Sequence, residues 1–196
     1  ESQFARRLAE NGYQVLIPVL ASRSYLFPGT PQQQTHREWV YRQAFHMGRH
    51  IIGFEVQKVL AGIDWFKKTA PETGTGVAGY HEGGLIALYA AAVDTRIDAS
   101  FVSGYFNSRR KIWDEPLYRS VHALLSEFGD AEIASLVAPR PMVVEYSSIP
   151  ELIEQSVNAD EREHKYGAWP YTGYKGTLRT PEWKSVHAEY QRISEL

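Results

Sequence analysis

The sequence predicts an α/β fold in which a mostly parallel sheet carries helices on both faces. Two observations support this prediction. Along residues 2–148, segments with helical periodicity alternate with short strand-like segments. The clearest strand-like segment, YQVLIPVL at residues 13–20, is apolar nearly throughout, as in strands that are buried on both faces. We expect a single domain over residues 1–196, with its core in 2–148 and an irregular segment plus a terminal helix in 149–196.

The first third of the chain predicts two helices separated by a strand and a loop. A helix over residues 2–10 ends at Asn11-Gly12, and the strand at 13–20 follows. Proline, glycine, serine and glutamine then indicate a loop at 21–35. One long helix is predicted over 37–68, with Gly48 and Gly53 as bending points.

The remaining elements follow from the same alternation of periods. In chain order they are a strand at 76–80, a buried helix at 83–93, a strand at 98–106, an amphipathic helix at 117–128, a short helix at 130–136 with Asp130 as N-cap, and a strand at 141–147. No convincing strand is predicted between 148 and 187. Thr180 and Pro181 predict the start of a last helix over 181–195.

Composition excludes several classes of function. The chain has no cysteine, so thiolate nucleophiles, disulfides and cysteine metal sites are absent. A net charge of -2 gives no reason to expect nucleic acid or an anionic membrane as partner, and the short basic run at 109–111 is interpreted as a solvated loop. No apolar run reaches the roughly 20 residues of a membrane-spanning helix, and no signal peptide pattern is visible, which leaves the compartment open.

The stretch GYHEGG, residues 79–84, has the frame of a nucleophile elbow, G-x-S-x-G, with His81 at the serine position. GVAGY precedes it as a strand and GGLIALYAAAV follows it as a helix. An elbow is a strained turn that lifts one side chain above the carboxyl edge of a sheet, and its glycines avoid clashes with the neighbouring strand and helix. We therefore expect His81 at a strand–helix turn, on the same sheet edge as Glu145.

Three segments resemble the α/β-hydrolase superfamily, in particular its dienelactone hydrolase and acetyl xylan esterase-like branches. GYHEGG is similar to the G-Y-C-x-G-G or G-x-S-x-G-G of those families. HMGRHIIGFEVQKVLAGIDWF resembles the helix before the elbow strand, and VAPRPMVVEYS resembles the strand that ends at the acid of the triad. The resemblance runs through residues 2–148 and implies an α/β-hydrolase-like fold, truncated at its N-terminal strands and possibly at its C-terminal strand.

This resemblance implies carboxylic-ester hydrolysis through an acyl-enzyme. By the same resemblance, the backbone N–H of Glu82 is an oxyanion donor and Glu145 is the candidate acid. The family's chain order then requires a later histidine, for which His164 and His187 are the candidates. The family has serine or cysteine where this chain has His81, so we expect little or no activity through this degenerate elbow.

The alternative is a non-catalytic ligand-binding or scaffold domain within a larger protein. The expected ligand is a small-molecule ester or a carbohydrate ester. No cofactor, no nucleic acid and no membrane partner is expected.

Two other motifs compete with the elbow. Residues 74–79 match G-x-G-x-x-G, but the motif enters a strand instead of opening a helix, which argues against a dinucleotide site. His46 and His50 are four apart on the predicted long helix, yet two imidazoles without a third ligand do not make a metal site. The Glu82 side chain is expected to pair with His81 or with an arginine such as Arg49.

Overall fold

The computed structural model describes residues 3–26, 34–154 and 173–196. The helices, in chain order, are α1 (Phe4–Glu10), α2 (His36–His46), α3 (Ile51–Thr69), α4 (Glu82–Val93), α5 (Leu124–Glu127), α6 (Asp130–Ser135) and α7 (Trp183–Arg192). The strands are β1 (Gly76–Tyr80), β2 (Ala99–Ser103), β3 (Met142–Glu145), β4 (Leu152–Glu154) and β5 (Gly176–Leu178). Short 3-10 turns occupy Ile112–Asp114, Leu117–Arg119 and Ile193–Glu195.

The predicted α/β fold with a parallel sheet is confirmed. The described sheet has the order β1-β2-β3, and both pairs are parallel. Tyr80 is in register with Ser103, and Ser103 with Glu145, so the carboxyl ends of the strands meet at one edge. This edge carries the turn after β1, where the candidate site lies.

The two faces of the sheet carry different helices. Val102 of β2 is fully buried in the core formed with α3, α4 and α6. Because successive side chains of a strand point to opposite faces, Phe101 lies on the other face. Phe4 of α1 stacks there on Phe101, with ring centroids 6.5 Å apart.

The predicted strand at 13–20 is wrong, since none of these residues belongs to a strand. Ile17 and Val19 are 68% and 82% exposed. The carbonyl oxygen of Val19 accepts a hydrogen bond from Lys58 of α3 at 3.0 Å. Apolar composition is not sufficient for a strand when no neighbouring strand among the described residues pairs with the segment.

The predicted long helix at 37–68 is two helices, α2 and α3. They are separated at Gly48, which has a φ of 66°, a conformation that glycine adopts without strain. Gly53 lies inside α3 without a break. Thr35 caps α2, since its side chain accepts from the backbone N–H of Glu38.

The predicted helix at 117–128 is also wrong, because only α5 and the turn at Leu117–Arg119 are helical there. Ala123, with a φ of 60°, interrupts the segment. Tyr118 donates its hydroxyl to Glu154 at 2.6 Å, and Arg119 binds Glu82. These buried contacts hold the segment in its irregular form.

Smaller corrections concern helix ends and one strand pair. Gly129, not Asp130, is the N-cap of α6, and Glu182 caps α7 instead of Thr180. β4 and β5 form an antiparallel pair that was not predicted, because each strand has only 3 residues. In the described part of the chain, no helix is both long enough and apolar enough to cross a membrane.

Candidate active site

His81 lies at the strand–helix turn between β1 and α4, at the carboxyl edge of the sheet. Its φ of 56° and ψ of -113° are unusual for a residue other than glycine. Such a conformation costs of order 1–3 kcal/mol and persists where surrounding contacts hold it. The backbone N–H of His81 donates to the carbonyl of Ser103 at 2.9 Å, which fixes the turn against the end of β2. The strained turn of a nucleophile elbow is therefore present.

The glycines around the turn have unequal importance. A Cβ at Gly79 would overlap the carbonyl of Gly83, and a Cβ at Gly84 would lie 2.8 Å from the carbonyl oxygen of Ser103. A Cβ at Gly83 would meet nothing within 4 Å. The close approach of β1, β2 and α4 therefore requires Gly79 and Gly84, whereas Gly83 completes the motif without a steric need.

Glu82, the first residue of α4, is buried among three arginines. Its carboxylate accepts from Arg23 at 3.0 Å, from Arg37 at 2.9 Å and from Arg119 at 2.9 Å. We call Glu82 and these three arginines the arginine cage. Burial alone would raise the pKa of Glu82, but the guanidinium groups outweigh burial and lower this pKa to about 2. Glu82 therefore remains charged and fixes the turn to three other segments.

A second layer of contacts holds the arginine cage in place. Glu55 of α3 binds Arg37 at 3.1 Å and accepts the backbone N–H of Ala21 at 2.7 Å. The guanidinium of Arg37 lies 5.0 Å from the ring centroid of Tyr118. The cage is therefore a buried ionic cluster whose members are positioned by α2, α3, α4 and the turn at Leu117–Arg119.

The cage also determines the charge of His81. Burial, together with the guanidinium groups of Arg119 and Arg23, lowers the pKa of His81 to about 4, against a weaker opposing effect of Glu82. The imidazole is therefore neutral at physiological pH. Its Nε2 atom is buried and has no hydrogen-bond partner among the residues that the structure describes.

Glu145, the candidate acid, ends β3 on the same edge as His81 but bonds to another side chain. The hydroxyl of Ser103 donates to the Glu145 carboxylate at 2.5 Å. Since β2 lies between β1 and β3, Glu145 is two strand spacings, roughly 10 Å, from the strand that carries His81. The carboxylate therefore faces Ser103 and not the elbow imidazole.

Neither later histidine is seen to complete a triad. His187 lies in α7 and stacks on Trp183, with ring centroids 5.4 Å apart. No hydrogen bond within the described ranges joins His187 to Glu145 or His81. His164 lies outside the described residues. The catalytic roles expected for Glu145, His164, His187 and the backbone N–H of Glu82 remain predictions. Because Glu82 is the first residue of α4, its N–H has no carbonyl partner within the helix.

The histidine pair considered as metal ligands is separated by the break between α2 and α3. His46 ends α2, whereas His50 caps α3 by accepting the N–H of Ile52 at 3.1 Å through Nδ1. Within residues 3–26, 34–154 and 173–196, no group of three or more histidine, aspartate and glutamate side chains is placed to hold a metal ion.

The sequence did not reveal the arginine cage. The expectation that Glu82 pairs with His81 or with an arginine such as Arg49 is right in the kind of partner, but the arginines are Arg23, Arg37 and Arg119. One feature of the sequence does indicate such partners. Glu82 directly precedes the apolar run of α4, and a carboxylate that is buried at such a position requires cationic partners. Which arginines supply them depends on tertiary contacts.

Comparison with known proteins agrees with this geometry. The family model described as dienelactone hydrolase family matches residues 1–124, which include β1, the turn at His81, α4 and β2. No curated protein and no solved structure matches the chain. The family match covers more than half of the 196 residues. The chain, with its parallel sheet and the elbow turn after β1, therefore belongs to the dienelactone hydrolase family and has an α/β-hydrolase fold.

Proposed function

We propose that this member of an esterase-type family has little or no ester-hydrolysing activity through its elbow, which persists as architecture. The observation that carries the proposal is the state of His81. Its Nε2 is buried without a partner among the described residues, and burial together with cationic neighbours lowers its pKa to about 4. The elbow thus presents a shielded and weakly basic imidazole where the family has serine or cysteine.

Acyl transfer at an elbow has three requirements: a side chain that attacks, a base that activates it, and an acyl-enzyme that water opens. The neutral imidazole of His81 meets the first requirement poorly, because a nitrogen of low basicity is a weak nucleophile. The second requirement lacks support, because Glu145 is bonded to Ser103 and His187 is stacked on Trp183.

Hydrolysis of p-nitrophenyl acetate tests the proposal. We expect the protein to react no faster than free imidazole at equal concentration, and His81→Ala to leave the rate unchanged. His46→Ala, at an exposed position at the end of α2, is the matched control. A saturable rate that is lost in His81→Ala and kept in His46→Ala would refute the proposal. We expect His81→Ser to give at most weak activity, since it restores a hydroxyl without its base.

The second candidate, a ligand-binding domain within a larger protein, is favoured by aromatic side chains beside the sheet edge. Tyr146 follows Glu145, and its ring lies edge-on to Trp183 with centroids 5.2 Å apart. Both remain exposed, at 44% and 54%. Exposed aromatic rings beside a functional edge are typical of binding surfaces and suit the apolar face of a sugar.

A fluorescence titration with an acetylated xylo-oligosaccharide tests this second candidate. We expect saturable quenching that Trp183→Ala removes and Trp65→Ala preserves, because Trp65 is similarly exposed but lies on α3. Equal quenching in both variants, or none in the unmodified protein, would exclude carbohydrate binding at this surface.

A further inference from the structure

A cavity of about 270 Å³ lies beside α4. Tyr89 of α4 and residues 119–126 form much of its wall. Tyr89 follows Glu82 by seven residues, which places it about 10 Å further along the helix axis. His81 is not among the lining residues, and the cavity meets the elbow only through Arg119, which binds Glu82.

The charged groups on its wall are two buried arginines. Arg109 and Arg119 line the cavity and are 3% and 5% exposed, and no aspartate or glutamate lines it. Both guanidinium groups bind the carboxylate of Glu115, at 2.8 Å and 3.0 Å, and Arg119 also binds Glu82 at 2.9 Å. The two arginines line the cavity, whereas their carboxylate partners are not among the lining residues.

Arg119 has further capacity to donate. Its Nε binds Glu82, a carboxylate that Arg23 and Arg37 also bind. Its Nη2 is buried and has no hydrogen-bond partner in the described part of the chain. A buried guanidinium nitrogen without an acceptor is unfavourable, and an anion bound at this nitrogen would remove that cost.

The backbone around the cavity is strained. Arg109 and Ala123, both on its wall, have φ angles of 56° and 60°. Among the described non-glycine residues, His81 is the only other one with positive φ. Strain of this kind concentrates at functional positions such as ligand sites. Ile112 and Leu124 give the same cavity an apolar wall.

We propose that this cavity binds a small organic carboxylate, held by Arg109 and Arg119 and packed against Ile112 and Leu124. A planar carboxylate matches the fork of a guanidinium. Because Arg109 and Arg119 already bind Glu115, and Arg119 also binds Glu82, a single negative charge suits the site better than a doubly charged phosphate. The apolar wall requires an organic group on the anion.

Calorimetric titration of the unmodified protein with benzoate, benzamide and inorganic phosphate tests the inference. We expect benzoate to bind with a Kd of about 1 mM, a typical affinity for a ligand of this size. Benzamide has the same shape without the charge, and phosphate has charge without the apolar group. Each should bind at least about tenfold more weakly. Equal binding of benzoate and benzamide, tighter binding of phosphate, or no saturable binding of benzoate would overturn the proposal.

A pair of serine variants locates the binding. Ser126 lines the cavity, and its hydroxyl donates to a carbonyl three residues earlier, as does that of Ser194 in the last turn of the chain. We expect Ser126→Trp to abolish benzoate binding and Ser194→Trp to preserve it, with circular dichroism verifying that both variants fold. Unchanged affinity in folded Ser126→Trp would refute this location. The comparison of benzoate with benzamide stands even if Ser126→Trp does not fold.

Discussion

Replacing Glu82 by glutamine should destabilise the protein strongly, because the arginine cage has this one carboxylate at its centre. Glutamine keeps the shape but removes the charge, and its amide group would face guanidinium donors. The lowering of the Glu82 pKa from 4.5 to about 2 corresponds to about 3 kcal/mol of stabilisation. Removing one partner from a buried ion pair typically costs 3–5 kcal/mol, which agrees.

The pH dependence follows from the sign of this shift. A carboxylate with a lowered pKa in the folded state contributes stability above its unfolded pKa and loses it as the pH falls through the folded pKa. The unmodified protein should therefore exceed Glu82→Gln in free energy of unfolding by the largest amount above pH 4.5, and this difference should shrink as the pH falls toward 2. A difference that is constant over this window would contradict the assignment of the low pKa to Glu82.

Urea unfolding at several pH values, followed by circular dichroism, measures the loss of stability in Glu82→Gln and its dependence on pH. A loss of about 3 kcal/mol corresponds to a drop in Tm of roughly 10 °C for a domain of this size. Glu151→Gln is the matched control, since Glu151 binds Arg179 at 2.8 Å while both side chains are more than half exposed. We expect that control to cost less than about 1 kcal/mol. Equal destabilisation by the two substitutions would refute the reasoning.

Two further predictions concern the turn itself. In an NMR pH titration, the His81 imidazole, assigned by its loss in His81→Ala, should titrate near pH 4. Titration near the ordinary value of 6.5 would contradict the buried, cationic surroundings described for this side chain. Since this lowered pKa disfavours the charged form, His81 contributes stability above pH 6.5 that is lost as the pH falls toward 4. Gly79→Ala should destabilise by more than about 3 kcal/mol in urea unfolding, because its Cβ overlaps the Gly83 carbonyl, whereas Gly83→Ala should be neutral or slightly stabilising. Similar costs for both alanines would contradict this account of the elbow glycines.

The elements around the elbow were predictable because their signals are local. β1, α4, β2 and β3 each occur where the pattern of apolar residues and glycines placed them, within a few residues at the ends. The turn at His81 followed from glycine spacing between a strand and a helix. Such signals depend on neighbours in the chain, which a single sequence supplies.

The errors arose where distant contacts decide the structure. Residues 13–20 have the composition of a buried strand but have no pairing neighbour in the described residues. Apolar residues in 117–128 do recur with the spacing of a helix. The segment is nevertheless not one helix, because Tyr118 and Arg119 are bound by Glu154 and Glu82. The partners of Glu82 lie 37 to 59 residues away along the chain, at positions with no periodic signal.

The arginine cage has a consequence for how the protein folds. Its four members come from segments that are far apart in sequence, and a partly assembled cage would leave a charge buried without its partner, which is strongly unfavourable. States in which only some of these segments have docked are therefore penalised relative to both the unfolded and the native state. The cage therefore makes folding more cooperative. The turn at His81 reaches its strained geometry in the same step that brings together α2, α4 and the segments bearing Arg23 and Arg119. Local opening of any one of these segments releases the turn as well.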